Sequence, residues 1–165
     1  MRICILALIL VFLGCKSPKK DYDFTFFKWN IRESYYLKFN SSDTLYYVDV
    51  YGYKEETSYT ILRKDEKERI QTILDTITFP KEENFENNLI EDGETNAFVL
   101  KNEKQSRKLK IHSNGPNQFW RLGKTLDGIK NNHVFSKTDK KIDLNEINKM
   151  VLMELPPTFI IDTLK

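Results

Sequence analysis

The chain has 165 residues, with 26 basic and 24 acidic side chains and a formal net charge of +2. A charge so close to zero excludes the strong positive field with which many proteins bind nucleic acid. The length suits one domain with its own hydrophobic core, and the presence of two cysteines excludes a framework of several disulfides.

The chain begins with an apolar segment. Residues 3–13 are all apolar, and Gly14 and Cys15 then precede an abrupt change to polar residues. As a helix this segment would span roughly 16 Å, at about 1.5 Å per residue, whereas the hydrocarbon core of a bilayer is roughly 30 Å thick. The segment therefore predicts a secretory signal peptide rather than a stable transmembrane anchor.

The end of this segment, Phe12-Leu13-Gly14-Cys15, resembles the lipobox of bacterial lipoproteins. Gly14 and Cys15 match the pattern, while Phe12 and Leu13 depart from its usual residues. The resemblance implies cleavage before Cys15 and lipid attachment to it, and several acyl chains on one residue anchor a protein stably. Lys16 stands where aspartate would favour inner-membrane retention, so the resemblance favours the outer membrane. The alternative is a plain signal peptide or a short anchor.

Three segments follow from this interpretation: a lipoprotein signal peptide at residues 1–15, a polar tether at 16–23 and a single domain at 24–165. The first part of the domain predicts strands, because apolar and polar residues alternate at 27–31 and 35–39. A turn cluster at 40–43 and further strands at 45–51 and 57–62 extend this β region.

The rest of the domain alternates helices with a second hairpin. Apolar spacing predicts helices at about 65–77, from 117 to 129 and around 144–151, the first with Asp65 and Glu68 at capping-box spacing. Strands are expected at 97–101 and 108–112, and a last edge strand at 158–162. The acidic connection at 81–96 is long for a compact domain, which makes it a candidate functional loop.

The first two predicted helices show a weak internal sequence similarity, called here the helix echo. At an offset of 52 residues, five residues of the first helix match five of the second: Arg69, Ile70, Leu74, Asp75 and Ile77 against Arg121, Leu122, Leu126, Asp127 and Ile129. We therefore expect an α+β fold in which two or three helices cover one face of an antiparallel sheet of five to seven strands. Two hairpin–helix units are a possible origin.

Catalytic and metal-binding patterns are not visible in the sequence. There is no Gly-x-Ser-x-Gly motif, and Cys15 is not a free nucleophile once it is acylated. His112 and its neighbour Ser113 would point to opposite faces of a strand, and His112 is expected to be exposed beside Lys108 and Lys110. His133 is expected in a turn. Neither an organised set of zinc ligands nor an EF-hand pattern is present. We expect no enzyme activity, no cofactor and no metal.

Tyrosines are the remaining recognition candidates, because each ring offers apolar area and a polar tip. Several fall on successive predicted strands, and the candidate binding residues are Tyr36, Tyr46, Tyr47, Tyr51 and Tyr53. The alternative is a purely structural role, in which half of these tyrosines pack under the helices.

Two functions fit this sequence. The first is a membrane-anchored envelope lipoprotein that binds or inhibits another protein, as an immunity-type protein does, with the membrane and a protein as partners and no nucleic acid. The second is a module that binds a small molecule or glycan in a tyrosine-lined pocket. A deep pocket would favour the second function, and an exposed aromatic patch would favour the first.

Overall fold

A computed structural model describes residues 21–51, 56–87, 89–90, 92–102 and 105–151. Cys15, Tyr53 and the strand expected at 158–162 therefore lie outside the described residues. No helix within the described ranges is long and apolar enough to cross a bilayer.

The described residues form an α+β fold built on one mixed sheet. Its eight strands have the spatial order β5-β7-β6-β1-β2-β3-β4-β8. The strands are β1 (Asp23–Asn30), β2 (Glu33–Phe39), β3 (Thr44–Asp49), β4 (Glu56–Ile61), β5 (Asn84–Glu86), β6 (Thr95–Asn102), β7 (Gln105–His112) and β8 (Ser136–Lys137). The helices are α1 (Lys64–Thr76), α2 (Asn117–Asn131) and α3 (Asn145–Val151).

The expectation of a purely antiparallel sheet of five to seven strands is wrong at both margins. β5 lies inside the acidic connection at 81–96 and pairs in parallel with β7, through Phe85 opposite Ile111. The two-residue strand β8 pairs antiparallel with β4, through Ser136 opposite Tyr59. Both strands are too short to show a period of two, so their pairing depends on longer partners elsewhere in the chain.

The first face of the sheet carries α1 and α2, as expected. Alternation along β1 places Phe24 and Phe26 on this face, where they join a core with Leu37 of β2 and Phe98 of β6. Both helices cross the strands: α2 packs Phe119 against Phe98, and its later residue Asp127 reaches Tyr35 on β2. Each helix follows a hairpin and buries one apolar stripe, although a duplication itself stays a prediction.

The second face carries α3, so two of the expected two or three helices share the first face and the third does not join them. Ile147 and Val151 pack there against Phe27, Val48 and Val99. Apolar spacing shows which side of a helix is buried, but it does not show which side of a sheet receives it. The central strands are therefore covered on both faces, which explains the bulky side chains at adjacent positions such as Phe26 and Phe27.

The N-terminus of α1 also differs from expectation. Its capping residue is Arg63, and Glu66 completes the capping box, in place of the Asp65–Glu68 pair predicted from spacing. The Glu66 carboxylate accepts a hydrogen bond from the Arg63 backbone N–H at 3.0 Å. It thereby fixes the first turn of the helix.

Candidate functional site

One end of the sheet concentrates exposed apolar side chains. At this end β1 connects to β2, β3 ends and β6 begins. Trp29, near the end of β1, lies opposite Ser34 of β2 on one side and opposite Thr95 of β6 on the other. We call it the loop end; its described residues are 31–32, 50–51, 87, 89–90 and 92–94. Four large apolar side chains are exposed here: Ile31 (66 %), Tyr51 (57 %), Leu89 (94 %) and Ile90 (42 %).

Two hydrogen bonds hold these loops in place. The Tyr51 hydroxyl donates to the Ile31 carbonyl oxygen at 3.1 Å. On the other side, His112 Nε2 lies 2.7 Å from the Ile90 carbonyl oxygen, and His112 Nδ1 lies 2.8 Å from the Thr95 hydroxyl. His112 is therefore half-buried and structural, which corrects the expectation that it is exposed.

The loop end lies opposite the point where the chain enters the sheet. β1 begins at Asp23, next to the end of β6, since Asp23 pairs with Lys101. At about 3.3 Å per residue, β1 separates Asp23 from the loop end by roughly 23 Å.

A cluster of charged side chains lies beneath the loop end, on the first face. Lys28 Nζ lies 2.8 Å from a carboxylate oxygen of Glu33, 3.1 Å from Asp127 and 3.5 Å from Glu94. Lys130 Nζ lies 2.8 Å from Glu33 and 3.7 Å from Asp127. Two cations, Lys28 of β1 and Lys130 of α2, thus bridge three carboxylates from β2, the segment before β6 and α2.

Aromatic groups complete this charged cluster. The Tyr35 hydroxyl donates to Asp127 Oδ1 at 2.7 Å. Lys130 Nζ lies 4.2 Å from the centroid of the Tyr35 ring and 5.9 Å from that of Tyr47, distances at which a cation is attracted to a ring face. The cluster therefore connects α2 to two strands of the sheet.

The pKa shifts in the cluster all favour the ionised pairs. Burial opposes the charge on Lys28, but hydrogen bonds to Glu33 and Asp127 outweigh burial and raise the pKa of Lys28. Burial also opposes ionisation of the two carboxyls, yet hydrogen bonds from Lys130 and Lys28 lower the pKa of Glu33. Bonds from Tyr35 and Lys28 lower that of Asp127. Burial and the Asp127 charge raise the pKa of Tyr35.

The cluster presents its negative side to solvent. The side chains of Lys28 and Lys130 are 9 % and 14 % exposed, whereas those of Glu33 and Glu94 are 33 % and 36 % exposed. The two lysines are therefore more buried than Glu33 and Glu94, and the cluster of two lysines and three carboxylates has a formal charge of −1.

A second polar cluster joins β4, α1 and the end of α2. His133 Nε2 lies 2.7 Å from Glu66 Oε2, and His133 Nδ1 lies 3.1 Å from the Thr60 hydroxyl. The row of hydroxyl, imidazole and carboxylate resembles a catalytic triad in composition. However, Thr60 and Glu66 are buried, and Glu66 also binds Arg63 at 2.8 Å. The arrangement fastens the N-terminus of α1 to the chain after α2.

The candidate tyrosines do not share one surface. Tyr36 is buried on the second face and donates to Asn148 Oδ1 at 2.8 Å, while Tyr46 accepts a hydrogen bond from Lys140 Nζ at 2.6 Å. Tyr47 packs on the first face, where burial and the nearby Asp49 charge raise its pKa to about 12. Tyr51 belongs to the loop end, and Tyr53 lies outside the described residues.

The charged cluster had little signal in the sequence. Lys28 and Asp127 are 99 positions apart, so no local spacing connects them. Two hints existed: Lys28 shares strand parity with Phe24 and Phe26, and the helix echo pairs Asp127 with Asp75. Both aspartates accept a hydrogen bond from a tyrosine hydroxyl: Asp75 from Tyr22 and Asp127 from Tyr35.

Metal binding has no candidate in the described part of the chain, where no group of three or more potential ligands is arranged around a point. The acidic connection is instead partly used by the fold, since Glu86 pairs with Lys110 and Glu94 with Lys28. Comparison with protein-family models, curated proteins and solved structures finds no match for this chain.

Proposed function

We propose that this protein is a membrane-anchored envelope lipoprotein that binds, and thereby inhibits, another envelope protein through its loop end. The observation that carries the proposal is the grouping of Ile31, Tyr51, Leu89 and Ile90 at one end of the sheet. Grouped exposed apolar side chains with polar neighbours are typical of protein-binding surfaces.

The chemistry of the loop end specifies the partner. Solvent at this end meets exposed apolar side chains beside the partly exposed Glu33 and Glu94, which belong to a cluster with one more carboxylate than lysines. A complementary surface has an apolar centre and a rim of lysine or arginine side chains. Part of the loop end is held by hydrogen bonds before any partner arrives, which reduces the entropy lost on binding.

The position of the anchor supports the same proposal. Lipid attachment at Cys15 places the bilayer at the entry end, and the length of β1 carries the loop end about 23 Å farther out. A partner in the envelope could then reach the loop end without displacing the membrane.

The polar clusters support a non-catalytic role. Lys28, Asp127 and Glu66 each have several partners within hydrogen-bond distance, and the Thr60 hydroxyl is buried against His133. These groups act as links between helices and sheet. The alternative function, a pocket lined by tyrosines, has no supporting observation among the described residues, where Tyr36 and Tyr47 lie on different faces.

Site-specific photocrosslinking in cells that produce the anchored protein tests the proposal. A photoreactive amino acid at Ile31 should crosslink one protein reproducibly, while the same group at Ile61 should not. Ile61 is a matched control: its exposed fraction of 57 % is similar, but it lies at the entry end, opposite Thr44. Equal crosslinking from both positions, or none from Ile31, would contradict the proposal.

The anchor is tested separately. Radiolabelled palmitate should enter the wild-type protein and not the Cys15→Ser variant, and the variant should leave the membrane fraction. If the variant remains in the membrane without label, the segment at 1–15 acts as a plain anchor instead.

A further inference from the structure

A groove of about 290 Å³ runs between the first turns of α1 and the last turns of α2. None of its lining residues belongs to the loop end, and one of them, Glu66, contacts His133. Three basic side chains line it: Arg63 and Arg69 from the α1 side and Lys124 from α2. This groove is independent of the proposed protein-binding surface.

The basic groups in the groove differ in how far they are neutralised. Arg63 is engaged by Glu66 at 2.8 Å and lies 3.6 Å from Asp65. In contrast, no carboxylate of the described residues comes within 4.0 Å of Arg69 or Lys124. Two full positive charges therefore face the groove without a counter-charge from the described part of the protein.

The acidic residues of the groove do not cancel this charge. Glu66 lies in the lining, but its carboxylate is occupied by Arg63 and His133. Asp65 is exposed and is shared with Arg63. The electrostatics of the groove thus favour an anion.

We infer that this groove binds a phosphate-bearing ligand. Guanidinium and ammonium groups together recognise phosphate, since arginine donates two parallel hydrogen bonds and lysine supplies a compact charge. The volume accommodates a phosphomonoester or a single lipid headgroup, and these two sources share the recognised chemistry.

Gly128 provides a test with little structural cost. It lines the groove, and a Cβ atom added to it meets no other atom within 4 Å. Side chains can therefore be placed there without a clash, and each replaces a glycine inside a helix by a better helix former. The series Gly128→Lys, Gly128→Gln and Gly128→Glu changes the charge of the groove at one position.

The experiment is isothermal titration calorimetry on the full lipidated chain in a non-ionic detergent, with inorganic phosphate as the first probe. Relative to Gly128→Gln, we expect Gly128→Lys to tighten binding and Gly128→Glu to weaken it by about tenfold, as one charged contact is made or opposed. Arg69→Ala should also weaken binding about tenfold. Arg121→Ala, an exposed arginine on α2 outside the lining, is the control and should have no effect.

A second probe identifies the source of the phosphate. Short-chain phosphatidylglycerol, titrated below its critical micelle concentration, should bind more tightly than inorganic phosphate if the ligand is a lipid headgroup, and more weakly if it is a free phosphate. The inference is overturned if neither probe binds, or if affinity is the same across the Gly128 series. Retained crosslinking from Ile31 would then show that the loop-end proposal stands independently.

Discussion

Two regions at the loop end lie side by side and differ in charge, in burial and in their contacts with the rest of the domain. Lys28 and its partners form a cluster in which each charge meets an opposite charge within 3.5 Å. The apolar side chains of Ile31, Tyr51 and Leu89 are exposed and pack against little of the domain. The cluster connects α2 to the sheet, whereas the apolar tips contribute little to folding.

The comparison teaches where function can lie. The charged side chains of the cluster hold α2 against the sheet, so replacing them should lower the free energy of unfolding. The apolar side chains of the loop end are exposed, so replacing them should alter binding of the partner and leave the free energy of unfolding unchanged. Four measurements test this separation, in order of the expected effect on stability.

Lys28→Met should have the largest effect. It removes the cation that contacts Glu33, Glu94 and Asp127, so Glu33 and Asp127 keep only Lys130 and Glu94 loses its lysine. Breaking a buried ion pair from one side typically costs about 3 kcal/mol or more, because the remaining charge is uncompensated. Urea denaturation measures the free energy of unfolding. The control is Lys64→Met, since Lys64 is 89 % exposed and should change stability by under about 0.5 kcal/mol. Equal effects of the two substitutions would contradict the assignment.

Tyr35→Phe should have an intermediate effect. It removes one hydroxyl that donates to the ionised Asp127 at 2.7 Å and keeps the ring beneath Lys130. A hydrogen bond to a charged group contributes about 1.5–3 kcal/mol. Tyr51→Phe is the matched change in the exposed region and should cost under about 0.5 kcal/mol. A larger loss at Tyr51 than at Tyr35 would reverse the comparison.

Acid should weaken the cluster specifically. The pKa values of Glu33 and Asp127 are lower in the folded protein than their ordinary values, which are about 4.3 and 3.9. The unfolded chain therefore binds more protons as the pH falls through this range. The stability contributed by the two carboxylates is complete above about pH 5 and is lost as the pH falls through the lowered folded pKa values.

This pH dependence is measured by denaturation between pH 6 and pH 3. Asp127→Asn should be less stable at pH 6 and should show a shallower decline, because one of the two titrating groups is gone. A variant with the same slope as the wild type would show that Asp127 does not contribute to the acid sensitivity.

Much of the fold was predictable from local patterns, and the exceptions have physical reasons. Alternation gave the strands β1 and β2, turn segments delimited β3 and β4, and helical spacing gave α1 and α2. The strand β5 was missed because its three residues lie in an acidic segment and depend on β7 for pairing. The side of the sheet taken by α3 was missed because residues such as Phe26 and Phe27 make both faces of β1 apolar.

The candidate site was less predictable than the fold. Of the apolar side chains at the loop end, only Tyr51 was singled out individually, although Leu89 and Ile90 lie in the connection at 81–96 that was a candidate functional loop. Ile31 was assigned to a buried alternation, but it lies in the turn after β1 and is exposed. The charged cluster depends on contacts between segments about 100 residues apart, and a single sequence contains no local signal for such contacts.

Ile31→Asp should have the smallest effect on stability and the largest effect on binding, so it tests the central claim most directly. The protein captured by crosslinking is purified, and its dissociation constant is measured for wild type, Ile31→Asp and the control Ile61→Asp. A central apolar contact contributes about 2 kcal/mol, so Ile31→Asp should weaken binding about 30-fold. Ile61→Asp should leave binding within about twofold, and unfolding free energies should differ by under about 0.5 kcal/mol. Unchanged affinity for Ile31→Asp, or an equal loss for both variants, would contradict the assignment of the loop end as the binding surface.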